Sequence, residues 1–372
     1  RTPGRAGMVD ITKLDQIGGA YQCLHELIAA ARARLPDHSW DYLVGGAETE
    51  TTLSRNRAAL DSVAFRPRVL RDVSKVAAAG PVLGQPARLP LFLAPIGSLE
   101  SFAAGGAASA ARAAALFGVP IMVSSVTEPG LEATAEAASA RRFFQLYRRG
   151  DDAATDDFVR RASEAGYDAF CFTVDSAVYS RRERDITRRF AKPWRHGGAG
   201  MERQAALNWD DVKRYKDKHA LPLILKGIAT AEDALIAVEH GVEVIHVSNH
   251  GGRQLDHGLG TLEILPEIVA AVAGRARIFL DGGISRGSDI VKALALGAEA
   301  VGIGRLYCYG LAAAGEAGVI RVLELLEIEM TECLALLGLT TPAALDRSCV
   351  RPAQAVSVRS LNSAFPLLNV SR

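Results

Sequence analysis

The sequence predicts an α/β protein built as a (β/α)8 TIM barrel, and three observations carry that prediction. Eight short apolar runs alternate with stretches of helical period, the length of 372 residues suits a barrel with extensions, and the polar residues of the runs gather at one end. The runs are LPLFLAPIG (89–97), VPIMVSS (119–125), RRFFQLY (141–147), YDAFCFTVD (167–175), LPLILKGI (221–228), GVEVIHVSN (241–249), RARIFLDGG (275–283) and AEAVGIGR (298–305). They are rich in β-branched and aromatic residues, and stretches such as AEDALIAVEHG and SDIVKALALGA supply the helices between them. A doubly wound open sheet usually has fewer strands and ranks second.

The remaining segments are read around this barrel. Residues 1–17 form an N-terminal extension, 18–350 a single domain and 351–372 a C-terminal tail expected to pack on a neighbouring subunit. Helical segments at 18–34 and 35–60 cap the barrel, and 311–338 is an amphipathic helix. The longest interruption, 176–209, carries many charges, Pro193 and a glycine cluster, and reads as a lid or binding loop.

Composition narrows the function. Lys plus Arg at 43 against Asp plus Glu at 42 leaves a net charge of +1, so no broad cationic surface offers itself to nucleic acid or anionic membrane. A small molecule is the expected partner. Five scattered cysteines without C-x-x-C spacing give no metal site and fit reduced thiols in the cytoplasm. No run of about 18 apolar residues and no apolar signal core are present, which disfavours membrane spanning and secretion.

Gly97, Ser124, Gln145, Tyr147, Thr173, Asp175, Lys226, Ser248, His250, Asp281 and Arg305 all sit at or just beyond the C-terminal ends of their runs. Those ends converge on the face of a barrel where active sites are built. Glycines in DGGISRGSD (281–289) and GIGR (302–305) would let backbone N–H groups hold a phosphate, with Arg286 and Arg305 adding charge. Lys226, in an apolar run, needs an electron-rich partner. His250 with Asp175 makes an imidazole–carboxylate pair suited to accepting a proton. Arg253, with Arg181 or Arg182, would clamp a substrate carboxylate.

SNHGGRQLD, taken with LPLFLAPIG, FFQLY, TVD, LKGI, DGG and IGR in this order, resembles the FMN-dependent α-hydroxy acid oxidases and dehydrogenases, the group of glycolate, lactate and mandelate-type enzymes, over residues 20–350. The resemblance implies FMN as cofactor, a small 2-hydroxy acid as substrate and a homotetramer. It makes His250 the catalytic base and Asp175 its partner, Arg253 and Arg182 the carboxylate clamp, and Tyr42 and Tyr147 substrate-binding tyrosines. Flavin contacts would come from Ala94, Pro95, Ile96 and Gly97, from Ser124, Gln145, Thr173 and Ser248, and from Lys226 beside the N1 and C2 carbonyl edge. Asp281, Gly282, Gly283, Gly304 and Arg305 would hold the phosphate end, and the two glycines after His250 would leave room for substrate.

Several positions depart from the family pattern. Ser285 followed by Arg286 stands where relatives commonly have an arginine directly after DGG-x, and Gly97 where many have alanine. Val126 replaces the large aromatic of short-chain glycolate oxidases, and Tyr179 lies in the loop after the fourth run. The wider pocket predicts a substrate larger than glycolate, of the mandelate or hydroxymandelate type. Oxygen is the expected acceptor, with a quinone or protein acceptor as the alternative. A flavin barrel acting as an isomerase or on a peptide, and a phosphate-binding scaffold, are the competing readings. No role is assigned to Gln254, Asp256 or His257.

Overall fold

The structure, a computed structural model, describes residues 19–190, 201–356 and 360–369. The expected extension at 1–17 lies outside them. Eight parallel strands close on themselves: β1 (Leu91–Leu93), β2 (Ile121–Ser124), β3 (Arg142–Leu146), β4 (Ala169–Thr173), β5 (Leu223–Ile228), β6 (Val244–Val247), β7 (Arg277–Leu280) and β8 (Ala300–Ile303). Each falls inside one predicted run, and β8 pairs back onto β1, so this sheet has no open edge. The barrel helices are α1 (Gly106–Phe117), α2 (Leu131–Ala137), α3 (Asp152–Glu164), α4 (Trp209–Lys218), α5 (Ala231–Glu239), α6 (Thr261–Val272), α7 (Gly287–Ala295) and α8 (Arg305–Leu336). None of the helices among the described residues is long and apolar enough to cross a membrane.

Side chains alternate across each strand, and this decides where the polar residues go. Leu91, Leu93, Phe144, Leu146, Phe170 and Phe172 face the helices, whereas Phe92, Met122, Phe143, Cys171, Ile224 and Phe279 belong to a separate cluster inside the barrel. Two residues further along the inward face come Ser124, Gln145, Thr173, Lys226 and Asp281. The interior is therefore apolar below and polar at its C-terminal mouth. Phe92, Phe143 and Phe279 fill the lower layer with ring centroids 5.0–6.2 Å apart. A hairpin of Gly80–Val82 and Gln85–Ala87 plugs the other end with Val82, and sequence periodicity missed it because each strand has three residues and one proline.

Three helices, Leu24–Arg34, Asp37–Val44 and Thr51–Asp61, cover the barrel. The third has Glu50 at its N-cap, whose side chain turns to Arg184 and Gly46 N and makes no capping hydrogen bond, and Asp256 takes that role from the loop after β6. Its carboxylate accepts from Thr52 N at 2.8 Å, Thr49 N at 3.0 Å and Thr49 Oγ1 at 2.6 Å. Burial opposes the charge, but these hydrogen bonds outweigh it and bring the pKa down to about 2. Further along the same helix, Arg57 makes a buried bidentate pair with Asp289 at 2.7 and 2.8 Å.

The C-terminal segments show contacts that the sequence did not predict. The tail packs on its own chain: Val350–Pro352 pairs antiparallel with Val63–Phe65, and buried Phe365 meets the ring of His25 edge-on at 5.7 Å. The apolar residues of this stretch, Val350, Leu361 and Phe365 among them, follow no helical or strand period, so the sequence does not show this. The predicted helix at 311–338 begins instead at Arg305 and kinks at Ala314–Gly315, where Gly315 has φ +61°.

Arg57→Met should strand the Asp289 carboxylate in the interior, a loss of about 3–5 kcal/mol. Urea unfolding should show it as a lower midpoint, whereas an exposed pair such as Arg160–Glu164 should be nearly silent when broken.

Candidate active site

The centre of the site is the turn after β6. His250 adopts φ +60°, unusual for a residue with a side chain, and Gly251 and Gly252 follow at +63° and +76°. A Cβ at Gly252 would lie 2.5 Å from the backbone of Leu53. That glycine makes room for the covering helix, not for substrate, which corrects the sequence expectation. Asn249 holds the turn by donating to Asn56 Oδ1 at 2.7 Å and accepting from Gly252 N at 3.1 Å.

The turn aims the His250 ring between two partners. Nδ1 lies 2.9 Å from Asp175 Oδ1 and Nε2 3.1 Å from the Tyr147 hydroxyl. The carboxylate places the ring proton on Nδ1 and leaves Nε2 with its lone pair toward the cavity. Burial lowers the His250 pKa, and the raising effect of Asp175 does not cancel it, so the ring is neutral near pH 7. Asp175 is itself opposed by burial, yet His250 and Lys226 hold its carboxyl below the usual range. The room for Asp175 comes from β5, where a register shift between Lys226 and Ile228 centres on Gly227 at φ +114°. A Cβ there would sit 2.6 Å from Asp175 Cβ.

Arginines crowd the same cavity. Arg253 donates through Nη1 to Tyr42 O at 2.8 Å and Gly45 O at 2.7 Å, and its guanidinium lies 5.0 Å from the centre of the Tyr42 ring. Arg305 donates to Leu43 O at 3.1 Å and Gly45 O at 2.9 Å. Arg182 is buried over the Tyr179 ring at 4.5 Å and reaches Gln254 Oε1 at 3.3 Å. Of the two candidates in that loop, Arg181 is exposed and pairs with Glu183, so only Arg182 belongs to the site. Burial, then the neighbouring Arg182, lowers the Arg253 pKa to about 10; burial, then Arg253, does the same to Arg305. These cations lie in a field that favours an incoming anion.

Ala94, Pro95, Ile96 and Gly97 line one wall, where Gly97 O accepts from the Tyr42 hydroxyl at 2.9 Å. Val126 lines it too, packed so closely that a Cβ on Gly97 would be 2.9 Å from its Cγ2. Ser124, Gln145, Thr173 and Ser248 are buried at the barrel mouth, and both amide atoms of Gln145 and the Thr173 hydroxyl have no hydrogen-bond partner among the described residues. Buried polar atoms of this kind call for a ligand rich in donors and acceptors. With Lys226 and the arginines they fit the heteroatoms of a flavin ring and an anionic tail.

The anion end differs from the sequence expectation. Arg286 is turned away into an ion pair with Glu329 at 2.6 Å and lies over the Phe365 ring. The first backbone donors of α7 are already taken: Ser285 N and Arg286 N by Asp289, and Gly287 N by Glu329. The start of α8 has no side-chain cap, and Gly304, Gly282 and Gly283 line the cavity beside Arg305, so the capacity for a phosphate lies there. Asp281 points to Lys226 and Ser248 instead, its Oδ1 accepting from Ser248 Oγ at 2.5 Å.

Sequence reading missed Phe102, Arg149, Met201 and Tyr309, which also line the cavity. They come from loops and a helix face without periodic signal. Gln254, given no role, donates to Asp175 O at 3.2 Å and Val178 O at 3.0 Å and so ties the arginine loop to the base's partner. The long loop is anchored at its far end by buried Gln204, which bonds Thr173 O and Arg148 N, both at 2.7 Å. The proline and glycines that suggested a lid fall at 191–200, outside the described residues.

Comparison with known proteins agrees with this geometry. The chain is 41% identical over 352 residues to an L-lactate oxidase of Nostoc sp., covering 87% of this chain and 96% of that one. It is 41% identical over 347 residues to glycolate oxidase 5 of Oryza sativa subsp. japonica, covering 87% and 94%. A crystal structure of mandelate oxidase with 3,3-difluoro-2-hydroxy-3-phenylpropionic acid superimposes with a TM-score of 0.84 at 41% identity, covering 90% of this chain and all of that one. An active chimera of (S)-mandelate dehydrogenase gives 0.84 at 34% identity, with 88% and 99% covered. The family model described as FMN-dependent dehydrogenase matches residues 31–352. The chain belongs to the FMN-dependent dehydrogenase family, with FMN as its cofactor.

Proposed function

We propose that the protein oxidises an (S)-2-hydroxy acid larger than glycolate, of the mandelate or hydroxymandelate type, to the 2-oxo acid with oxygen as acceptor. The observation that carries the reading is a neutral, carboxylate-backed imidazole facing the same cavity as two buried arginines. That set holds an acid by its carboxylate and removes a proton beside it. An isomerase or a scaffold would leave the double arginine without use.

In this reading Arg253 and Arg182 bind the carboxylate, and Tyr42 and Tyr147 position the hydroxyl-bearing carbon. His250 Nε2 takes the proton, and Asp175 stabilises the imidazolium that forms. The rise in the Tyr147 pKa caused by burial keeps its phenol protonated as a donor. Lys226, Ser124, Gln145, Thr173 and Ser248 would hold the ring of FMN, and Gly282, Gly283, Gly304 and Arg305 its phosphate end. FMN supplies the two-electron acceptor. Val126, Tyr179, Phe102 and Met201 shape the space for the substrate's side chain. Val126 supports a large substituent because a bulkier residue there would close the wall against Gly97. The reading includes a cytoplasmic location, and a homotetramer that light scattering on the purified protein would check.

His250→Gln should keep the yellow cofactor and slow anaerobic flavin reduction by about 10²–10⁴-fold; unchanged reduction would remove the base assignment. As pH falls, kcat/KM should drop only below the ordinary imidazole value of 6.5, because the buried ring protonates late. Asp175→Asn removes the one large raising effect, so that limb should move to still lower pH while turnover falls. Val126→Trp should cut the preference for mandelate over glycolate by about tenfold or more in steady-state rates. A parent enzyme that prefers glycolate would sink the substrate reading.

A further inference from the structure

His246 sits two residues before Ser248 on the inward side of β6, fully buried, and nothing in the proposed reaction uses it. Its ring stands edge-on to Phe92 and Phe279 at 5.5 and 6.1 Å, within the apolar layer of the barrel. A phenylalanine or leucine would suit that layer better, because His246 Nδ1 has no hydrogen-bond partner among the described residues. The other nitrogen explains the choice. Nε2 lies 3.1 Å from Asp281 Oδ2, the same oxygen that is 3.5 Å from Lys226 Nζ. Nε2 makes no hydrogen bond there among the described residues, so the contact is one of electrostatic proximity.

The groups facing this imidazole are Asp281 at the end of β7, Lys226 on β5 and Asp175 beyond β4. Burial lowers the His246 pKa below the ordinary range, so a neutral, polar ring faces the Asp281 carboxylate across 3.1 Å. Asp281 thus divides its negative charge among His246, the Ser248 hydroxyl and Lys226, and Lys226 also donates to Ser248 Oγ at 3.1 Å. Whatever portion His246 and Ser248 engage is withdrawn from the ammonium, which lines the cavity on its other side.

We propose that His246 is a positioning residue that tunes the charge Lys226 presents to FMN: by sharing Asp281 Oδ2 it leaves the ammonium less neutralised and raises the reduction potential of the bound flavin. The proposal rests on the reading that FMN lies against Lys226. An electron-accepting ligand next to a less neutralised cation is easier to reduce, since the reduced form carries more negative charge.

Redox titration of the holoenzyme against a reference dye tests this, with His246→Phe and His246→Gln compared. The Phe variant fills the space among Phe92, Phe143 and Phe279 without a donor, and should shift the ratio of reduced to oxidised flavin about tenfold toward oxidised, roughly 30 mV for two electrons. The Gln variant keeps an N–H donor and should stay within about threefold of the parent on the same scale. A packing role demands the reverse order, with Phe silent and Gln harmful, and that order would overturn the proposal. Should the Phe variant not accumulate, His246→Met, apolar and unbranched, carries the same expectation. Lys226→Met in the same titration separates the two readings. A potential unmoved by Lys226→Met would refute the placement of FMN, whereas one moved by Lys226→Met but not by His246→Phe would refute the role of His246 alone.

Discussion

The last turn of the helix Asp37–Val44 ends with backbone carbonyls that no further helical residue can satisfy, and the site depends on what meets them. Tyr42 O, Leu43 O and Gly45 O accept from Arg253 and Arg305, with Gly45 O shared by both guanidinium groups. The negative end of a helix is a favourable place for cations, and here it draws two arginines into the interior, with Asp185 and Glu50 offsetting only part of the burial that lowers their pKa values. Tyr42 adds its ring beneath Arg253. Each arginine keeps part of its fork for the cavity, so one short helix fixes the positions of both while leaving their charge unspent.

That contact brings together three distant parts of the chain: the N-terminal cover, the loop after β6 and the start of α8. Asp256 capping the helix Thr51–Asp61 and Arg57 gripping Asp289 fasten the same cover at two further points. A cover held only by apolar contact could slide by a fraction of an ångström, and the arginine forks would slide with it. Hydrogen bonds and a buried ion pair remove that freedom, which matters because binding and proton transfer are sensitive to displacements of that size.

Within the barrel, a simple alternation sorts the chemistry. On five of the strands the lower inward residue is Met122, Phe143, Cys171, Ile224 or Phe279 and the next one inward is Ser124, Gln145, Thr173, Lys226 or Asp281, while on β1 and β8 Phe92 and Ala300 are followed by Ala94 and Gly302. The lower layer keeps water out from beneath the site, so charges in the upper layer interact in a poorly screened medium. His246 is the exception that joins the two layers, an ionisable side chain among aromatic rings. Its presence is paid for by the contact with Asp281, and the geometry makes that contact part of the electrostatics around Lys226.

All eight strands were legible because each is a compact apolar run followed by a turn residue, and the polar residues at the run ends marked the functional face through period-two alternation. The pairing of His250 with Asp175 was legible as chemistry, although 75 residues separate them. Arg286 was misread because sequence gives its charge and its neighbours but not its rotamer, and Glu329, 43 residues away, decided where it points. The same holds for the α7 terminus, whose glycines suggested an open anion site until Asp289 and Glu329 were seen to fill it. Gln254 and Asp256 carried no periodic or motif signal, since their partners lie in other loops. Sequence by itself determined the barrel, its functional face and the residue types that meet there, because strand periodicity and strand ends are local properties. Only the tertiary structure decided which charges are satisfied and which remain available to a ligand, because that depends on contacts between segments that are remote in the chain.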